Sequence, residues 1–259
     1  MTKGLRCQEG KRLILFWLTC IVFLGQMREN DCMGLSSILP KKFIQRLLRT
    51  RLVWRLSGLT YWTAVKATQG LFMSRSEALR VCRQRMESLV PYLSPNDRVL
   101  DFGCGIGGKA IAISDHVAEV VGVDINPWYI GQARRLARGR SNCHFQSYQG
   151  GSLPFSDDHF EVVYSWAVFE RIPKTTVAGY VRDFYRVLKP GGLAAIYFLR
   201  YESSEAGFAD LLGEEAYVFY RREEVDRLLA DIGFVVQEYL AWPNAHVCLA
   251  RKLTDGQKV

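Results

Sequence analysis

The sequence predicts an α/β protein built on a doubly wound, mostly parallel sheet, with a helical extension at its N-terminus. Three observations carry this prediction. From Arg98 onward, short runs rich in β-branched residues alternate with helical stretches; a glycine-rich turn follows the first of those runs; and the first 94 residues differ from the rest in charge and pattern. At 259 residues, 49% hydrophobic and 23% charged, the chain has an ordinary globular composition and room for one substantial α/β domain with an appendage.

The extension reads in two parts. Over residues 1–33, the apolar run LILFWLTCIVFLG (Leu13 to Gly25) follows Lys3, Arg6, Lys11 and Arg12, the order of a secretory signal. As a helix it spans roughly 20 Å at about 1.5 Å per residue, short of the ~30 Å hydrocarbon core. The following GQMREND offers no small-residue cleavage site. Three readings stand: an upstream extension with the true start at Met27 or Met33, a monotopic or signal-anchor-like membrane attachment, and a helix packed on the domain. Over residues 34–94, the stretch Lys41 to Leu59 interleaves Phe43, Ile44, Leu47, Leu48, Leu52 and Leu56 with Arg46, Arg49, Arg51 and Arg55. This predicts a helix that serves as an interfacial element on anionic lipid, a lid over an apolar substrate, or a cap on the next domain.

Charge separates the two regions. Residues 1–94 hold 16 Lys/Arg against 5 Asp/Glu, a net +11, while residues 95–259 hold 18 against 21, a net −3. Peripheral contact with a membrane is therefore expected of the basic extension, and nucleic-acid binding is not expected without a recognisable module for it. Seven scattered cysteines (Cys7, Cys20, Cys32, Cys82, Cys104, Cys143 and Cys248) include no C-x-x-C pair. That argues against a disulfide framework or a zinc site and for a reducing, cytoplasmic setting, with no metal expected.

The boundary falls at the turn-forming Ser94-Pro95-Asn96-Asp97, which makes 95–259 the main domain. Strands are predicted at 98–102, 118–124, 143–148, 160–166, 193–199, 234–240 and 246–252, with helices near 107–116, 127–139, 174–188 and 221–232. In such a sheet, ligands bind beyond the carboxyl ends of the strands.

VLDFGCGIGG (Val99 to Gly108) lies at one of those ends. Gly103, Gly105 and Gly108 fit the G-x-G-x-x-G spacing of a dinucleotide turn, whereas Gly103, Gly105 and Gly107 fit a tighter G-x-G-x-G. Asp101 discriminates between them, because a carboxylate two residues before the first glycine repels a pyrophosphate and favours a ligand with an ammonium or sulfonium. Asp124, ending the second strand, is placed to accept hydrogen bonds from ribose hydroxyls.

DFGCGIG, Asp124, LPF at 153–155, FEVV at 160–163, RVLKPGG at 186–192 and IGF at 232–234 together resemble a class I S-adenosylmethionine-dependent methyltransferase over about residues 75–252. The resemblance implies a Rossmann-like, seven-stranded sheet whose last strand is antiparallel, and S-adenosylmethionine as cofactor. It places Asp101, Gly103, Gly105 and Gly107, with the small Cys104 between them, around the amino acid part of the cofactor, Asp101 near its ammonium. Asp124 then holds the ribose and Ile125 lies against the adenine. Gln149 and Gly150 stand where relatives often carry an Asp-Ala pair at the adenine amino group, and Trp166, Ala167 and Val168 form the floor under the methyl group.

Where relatives often read E-H-I, this chain has Glu170-Arg171-Ile172. Glu170 is the best-placed carboxylate for a catalytic role. Arg171, permanently charged, cannot be a base but can clamp an anionic substrate group or pair with a carboxylate. None of the four histidines occupies a motif position. Tyr201, Glu202, Glu205 and residues 213–222 follow the fifth strand, where the resemblance implies substrate contacts. The expected function is methyl transfer to an O, N or C atom of a small-molecule, lipid-linked or glycan-precursor substrate, the alternative being a non-catalytic cofactor-binding scaffold. An NAD-dependent dehydrogenase fits the glycine spacing but neither Asp101 nor RVLKPGG.

Overall fold

A computed structural model describes residues 75–201, 218–254 and 256. The expectations for residues 1–33 and for Lys41 to Leu59 lie outside the described residues. The chain divides between Ala78 and Leu79, and the sheet lies wholly in the unit Leu79–Val259. The α-helices among the described residues are α1 (Arg75–Met86), α2 (Gly108–Ile113), α3 (Pro127–Leu136), α4 (Lys174–Val187) and α5 (Arg222–Ile232). The strands are β1 (Arg98–Phe102), β2 (Glu119–Asp124), β3 (Cys143–Ser147), β4 (Phe160–Ser165), β5 (Leu188–Leu199), β6 (Phe234–Leu240) and β7 (Ala245–Lys252).

These strands form one seven-stranded sheet in the order β3-β2-β1-β4-β5-β7-β6. β1 to β5 pair in parallel, and β7 runs antiparallel to both β5 and β6. Both faces are covered because neighbouring strand residues point to opposite sides. Val99, Val120, Val162 and Ala195 pack in one layer with Met86, Ala110, Ile111 and Ala133 from α1, α2 and α3. Their neighbours Leu100, Val121, Val163 and Ala194 pack in the other with Val177, Phe184, Val225 and Leu229 from α4 and α5. This explains why the strands read as near-continuous apolar runs rather than alternating ones.

Local signals fix the joints. Asn126 caps α3, accepting the Trp128 N–H at 3.0 Å, and Pro127 opens the helix. Gly233, at φ 105°, ends α5, donating to Leu229 and Ala230 carbonyls before β6 starts. β5 begins at Leu188, ahead of the predicted 193, because Leu188 already pairs with Phe160 before a register shift. The KPGG segment is built into this bulge. Lys189 pairs with the Glu161 carboxylate, the Gly191 carbonyl accepts from Arg251 at 2.8 Å, and a Cβ on Gly192 would stand 2.8 Å from the Lys189 carbonyl oxygen. RVLKPGG thus sits at the amino end of its strand, opposite the end where ligands bind, and its role is structural.

Among the described residues no helix is long and apolar enough to cross a membrane.

Candidate active site

The chain leaves β1 through DFGCGIGG, and two of its glycines are dictated by geometry. Gly103 has φ 73°, and a Cβ there would lie 2.4 Å from Val168 Cγ2; Gly107 has φ 80°, and a Cβ there would lie 2.8 Å from the Phe145 ring. Only glycine tolerates both the left-handed backbone and the close approach. Gly105 also has positive φ, at 55°.

Four of the turn's backbone donors are spent inside the protein. Gly103 and Cys104 both donate to the Val123 carbonyl, at 2.8 and 3.0 Å, Gly107 donates to the Cys104 carbonyl at 3.0 Å, and Gly105 donates to Asp124 Oδ2 at 2.9 Å. Asp124 Oδ1 accepts from Asn126 N–H at 2.9 Å. Its carboxylate, half-buried at the end of β2, is thus oriented from both sides, and each oxygen keeps a lone pair for a further donor. Ile125 beside it is 66% exposed, and Ile106 and Trp128 are also exposed apolar residues at this rim.

Beneath the turn the electrostatics are negative. Asp101 is only 2% exposed. Burial first, then the charges of Asp101 and Asp124, push the Cys104 thiol well above its usual range. The wholly buried Tyr164 phenol is raised for the same reasons, burial and then Asp101. Asp101 therefore lies below the turn as a buried carboxyl group and not as an open side chain beside it.

The facing wall comes from the end of β4. Trp166 is buried, with its ring 5.7 Å from Tyr197 and 4.8 Å, edge-on, from Trp242. Ala167 follows at φ 59°, an uncommon conformation for a residue with a Cβ, and Val168 closes on Gly103. Gln149 is exposed after β3 and is followed by Gly150 and Gly151, both at positive φ; Tyr148 ahead of it donates its N–H to the Asp124 carbonyl at 3.3 Å. The same loop is tied down by buried Asp183, which accepts from the Ser152 hydroxyl at 3.1 Å, from Leu153 N–H, and from Arg186 Nε at 2.7 Å.

The structure thus gathers Gly103, Cys104, Gly105, Gly107, Asp124, Ile125, Gln149, Gly150 and Trp166 at the carboxyl ends of β1 to β4, with Asp101 beneath. Glu170 and Arg171 stand differently. Glu170, on a single 3-10 turn over Phe169–Arg171, is 4% exposed and lies against Tyr220, whose phenol is raised by burial and by Glu224 and Glu170. Arg171 is half-buried. Tyr201 is exposed; Glu202, Glu205 and residues 213–217 lie outside the described residues. Tyr197, Trp242 and Asp183 are absent from the sequence reading, since none sits in a motif; the apolar run of β5 was the one signal for Tyr197. Among the described residues no group of His, Cys, Asp and Glu is arranged to hold a metal ion.

Such a fold, with a G-x-G-x-G turn braced on an acidic residue at the end of β2, is that of the class I methyltransferases. The family model for the methyltransferase domain matches residues 99–192. The chain is 39% identical over 132 residues to 24-methylenesterol C-methyltransferase 2 of Oryza sativa subsp. japonica, a match covering 48% of this chain and 34% of that protein. It is 28% identical over 191 residues to sterol 24-C-methyltransferase of Yarrowia lipolytica, covering 67% and 50%. The chain therefore spans between a third and a half of the length of these curated relatives. A SAM-dependent methyltransferase structure from Methanosarcina mazei superposes with a TM-score of 0.55 at 22% identity, over 64% of this chain and 97% of that one. The chain carries a class I S-adenosylmethionine-dependent methyltransferase domain.

Proposed function

We propose that this domain transfers a methyl group from S-adenosylmethionine to an apolar small-molecule or lipid acceptor. The single observation that carries the reading is the state of the glycine turn, where the N–H groups of Gly103, Cys104, Gly105 and Gly107 are consumed internally and two carboxylates lie close by. Such a turn has little to offer a pyrophosphate and suits a ligand that is cationic at its amino acid end.

Bound there, the cofactor supplies an electrophilic methyl group on a sulfonium with a good leaving group. The chain's own residues hold, orient and exclude water. Gly103 to Gly107 let a ligand approach the main chain, Asp101 sets the field beneath, and Asp124 accepts from the ribose hydroxyls. Ile125 covers one side of the adenine, and Gln149 and Gly150 border it. Trp166, backed by Tyr197 and Trp242, forms a dry aromatic wall at the methyl end, where proximity and orientation supply most of the rate. Glu170, buried against Tyr220, serves as a positioning residue for the loop after β4, with Arg171 beside it. The lipid class of acceptor draws support from relatives named as sterol methyltransferases, and the net +11 of residues 1–94 supports peripheral contact with an anionic membrane.

The full chain is tested by calorimetric titration with S-adenosylhomocysteine and NAD, followed by incubation with methyl-labelled S-adenosylmethionine and a lipid extract. Binding of the adenosyl-sulfur ligand but not NAD, with label entering the organic phase, is the expected result. Binding of NAD in its place refutes the reading.

A further inference from the structure

A second recess lies apart from the glycine turn, in the same unit of the chain. It is a groove of about 570 Å³ at the carboxyl ends of β5 and β6, with Leu240, Trp242 and Pro243 as apolar walls and Arg200, Arg222 and His246 as polar groups. That volume is within the range of roughly 300–1,000 Å³ typical of small-molecule sites. Among the described residues no carboxylate lines it.

The two arginines differ in how their charge is met. Arg222 stacks on the Tyr239 ring, 3.3 Å from its centroid, and pairs with Asp226 at 3.4 Å. Arg200 is half-buried, its backbone N–H fixed on the Asn244 carbonyl at 2.9 Å and its Nη2 on the Pro243 carbonyl at 2.7 Å. Its Nε is buried without a hydrogen-bond partner among the described residues, and no carboxylate among them pairs with its guanidinium. A half-buried guanidinium that is held by one carbonyl and not neutralised favours an oxyanion. The groove also borders the proposed methyl-transfer wall, because Trp242 is the ring that meets Trp166 edge-on at 4.8 Å.

We infer that the groove receives the acidic end of the acceptor, a carboxylate or phosphate carried on an apolar body, with Arg200 as the anion-binding residue. Leu240, Trp242 and Pro243 hold the adjoining apolar part, and Arg222 adds a second, partly neutralised cation. This inference rests on the methyltransferase reading for the identity of the ligand as acceptor, and it separates this chain from an enzyme of neutral sterol alcohols.

Calorimetric titration of the full chain with dodecanoate, dodecyl phosphate and dodecanol, each below its micelle concentration, tests it. Both anions are expected to bind at least about tenfold more tightly than the alcohol, the advantage of a charge-assisted hydrogen bond, and the tighter of the two identifies the head group. Arg200→Gln removes the preference, Arg200→Lys keeps most of it, and both variants bind S-adenosylhomocysteine as the parent does. Dodecanol binding as tightly as the anions overturns the inference. So does a preference that survives Arg200→Gln in protein with unchanged thermal unfolding. S-adenosylhomocysteine binding without any anion preference refutes this inference and leaves the methyltransferase reading in place, whereas anion preference without S-adenosylhomocysteine binding refutes that reading and keeps an acid site in the groove.

Discussion

Replacing Gly103 by alanine tests whether the glycine turn is locked to the loop after β4. The added Cβ meets Val168 Cγ2 at 2.4 Å and Cγ1 at 3.0 Å, at a backbone φ of 73°. A left-handed conformation costs a residue with a Cβ about 1–2 kcal/mol, and overpacking adds about 1–3 kcal/mol. The expected loss for Gly103→Ala is therefore about 2–5 kcal/mol, a large share of the ~5–15 kcal/mol that stabilises a typical domain. Two further variants separate the terms. Gly139 has φ 88° but open space around its absent Cβ, so Gly139→Ala carries the conformational cost alone. Val168→Ala removes both Cγ atoms and leaves only a Cβ at 3.3 Å from the new methyl. In a double-mutant cycle with Gly103→Ala it should therefore return about 1–3 kcal/mol of coupling energy. Urea unfolding followed by far-UV circular dichroism reads all five proteins, the parent included. The reasoning fails if Gly103→Ala costs no more than Gly139→Ala, or if the cycle shows no coupling.

Three other outcomes follow from the same geometry. Asp124→Asn turns one of two acceptors of a backbone N–H into a donor and should weaken S-adenosylhomocysteine binding about 10- to 100-fold by calorimetry; an unchanged affinity would remove Asp124 from the site. Asp183→Ala leaves the Ser152 hydroxyl, the Leu153 N–H and Arg186 Nε without their shared acceptor, while Arg186 keeps Asp157 and the Leu153 and Phe155 carbonyls. It should cost about 1–3 kcal/mol in urea unfolding, and a loss under about 0.5 kcal/mol would show that the 149–155 loop does not depend on it. Glu161 is pushed up by burial, but the Lys189 ammonium and the Arg98 N–H outweigh this and hold its carboxyl below the usual range. The resulting stabilisation is present above the unfolded-state value and lost as pH falls through the folded-state one. Glu161→Gln should accordingly flatten the acid limb of stability below about pH 4.5, which acid titration of both proteins at fixed urea will reveal.

The strands and the sheet were legible because strand residues are buried on both faces, so Val99-Leu100, Val120-Val121 and Val162-Val163 announce themselves as apolar runs. The start of β5 was not, since KPGG looks like a break and only the pairing of Leu188 with Phe160 across a bulge makes it strand. Gly103, Gly105 and Gly107 were readable as a turn because the left-handed backbone there favours glycine, and Asp124 was readable as the residue that closes β2. Asp183 and Trp242 were invisible for the opposite reason: many residues can support a loop or fill a wall, and only three-dimensional contact reveals that these do. Glu170 shows a different limit. Its motif spacing says nothing of burial, which comes with a segment some fifty positions away, where the Val218 N–H donates to the Glu170 carbonyl at 3.0 Å, and no local pattern encodes that.

The spacing at 103–108 satisfies two glycine fingerprints at once, and the choice between them rests on hydrogen-bond bookkeeping. A pyrophosphate needs free N–H groups and a positive local field. Here Gly103 and Cys104 share one carbonyl acceptor, Gly105 is bound to Asp124, and Gly107 is bound within the turn. Cys104 reports the field at the centre of the turn. Its thiol is pushed up by burial and then by Asp101 and Asp124, which outweigh the opposing pull of Lys109. Two carboxylates at the turn disfavour a diphosphate, and a ligand carrying an ammonium and a sulfonium suits them. The carboxylates beside the turn are thus the features that recommend the cationic cofactor, and neutralising Asp101 should weaken S-adenosylmethionine binding without creating affinity for NAD, because Asp124 and the internal hydrogen bonds of Gly103, Cys104, Gly105 and Gly107 remain.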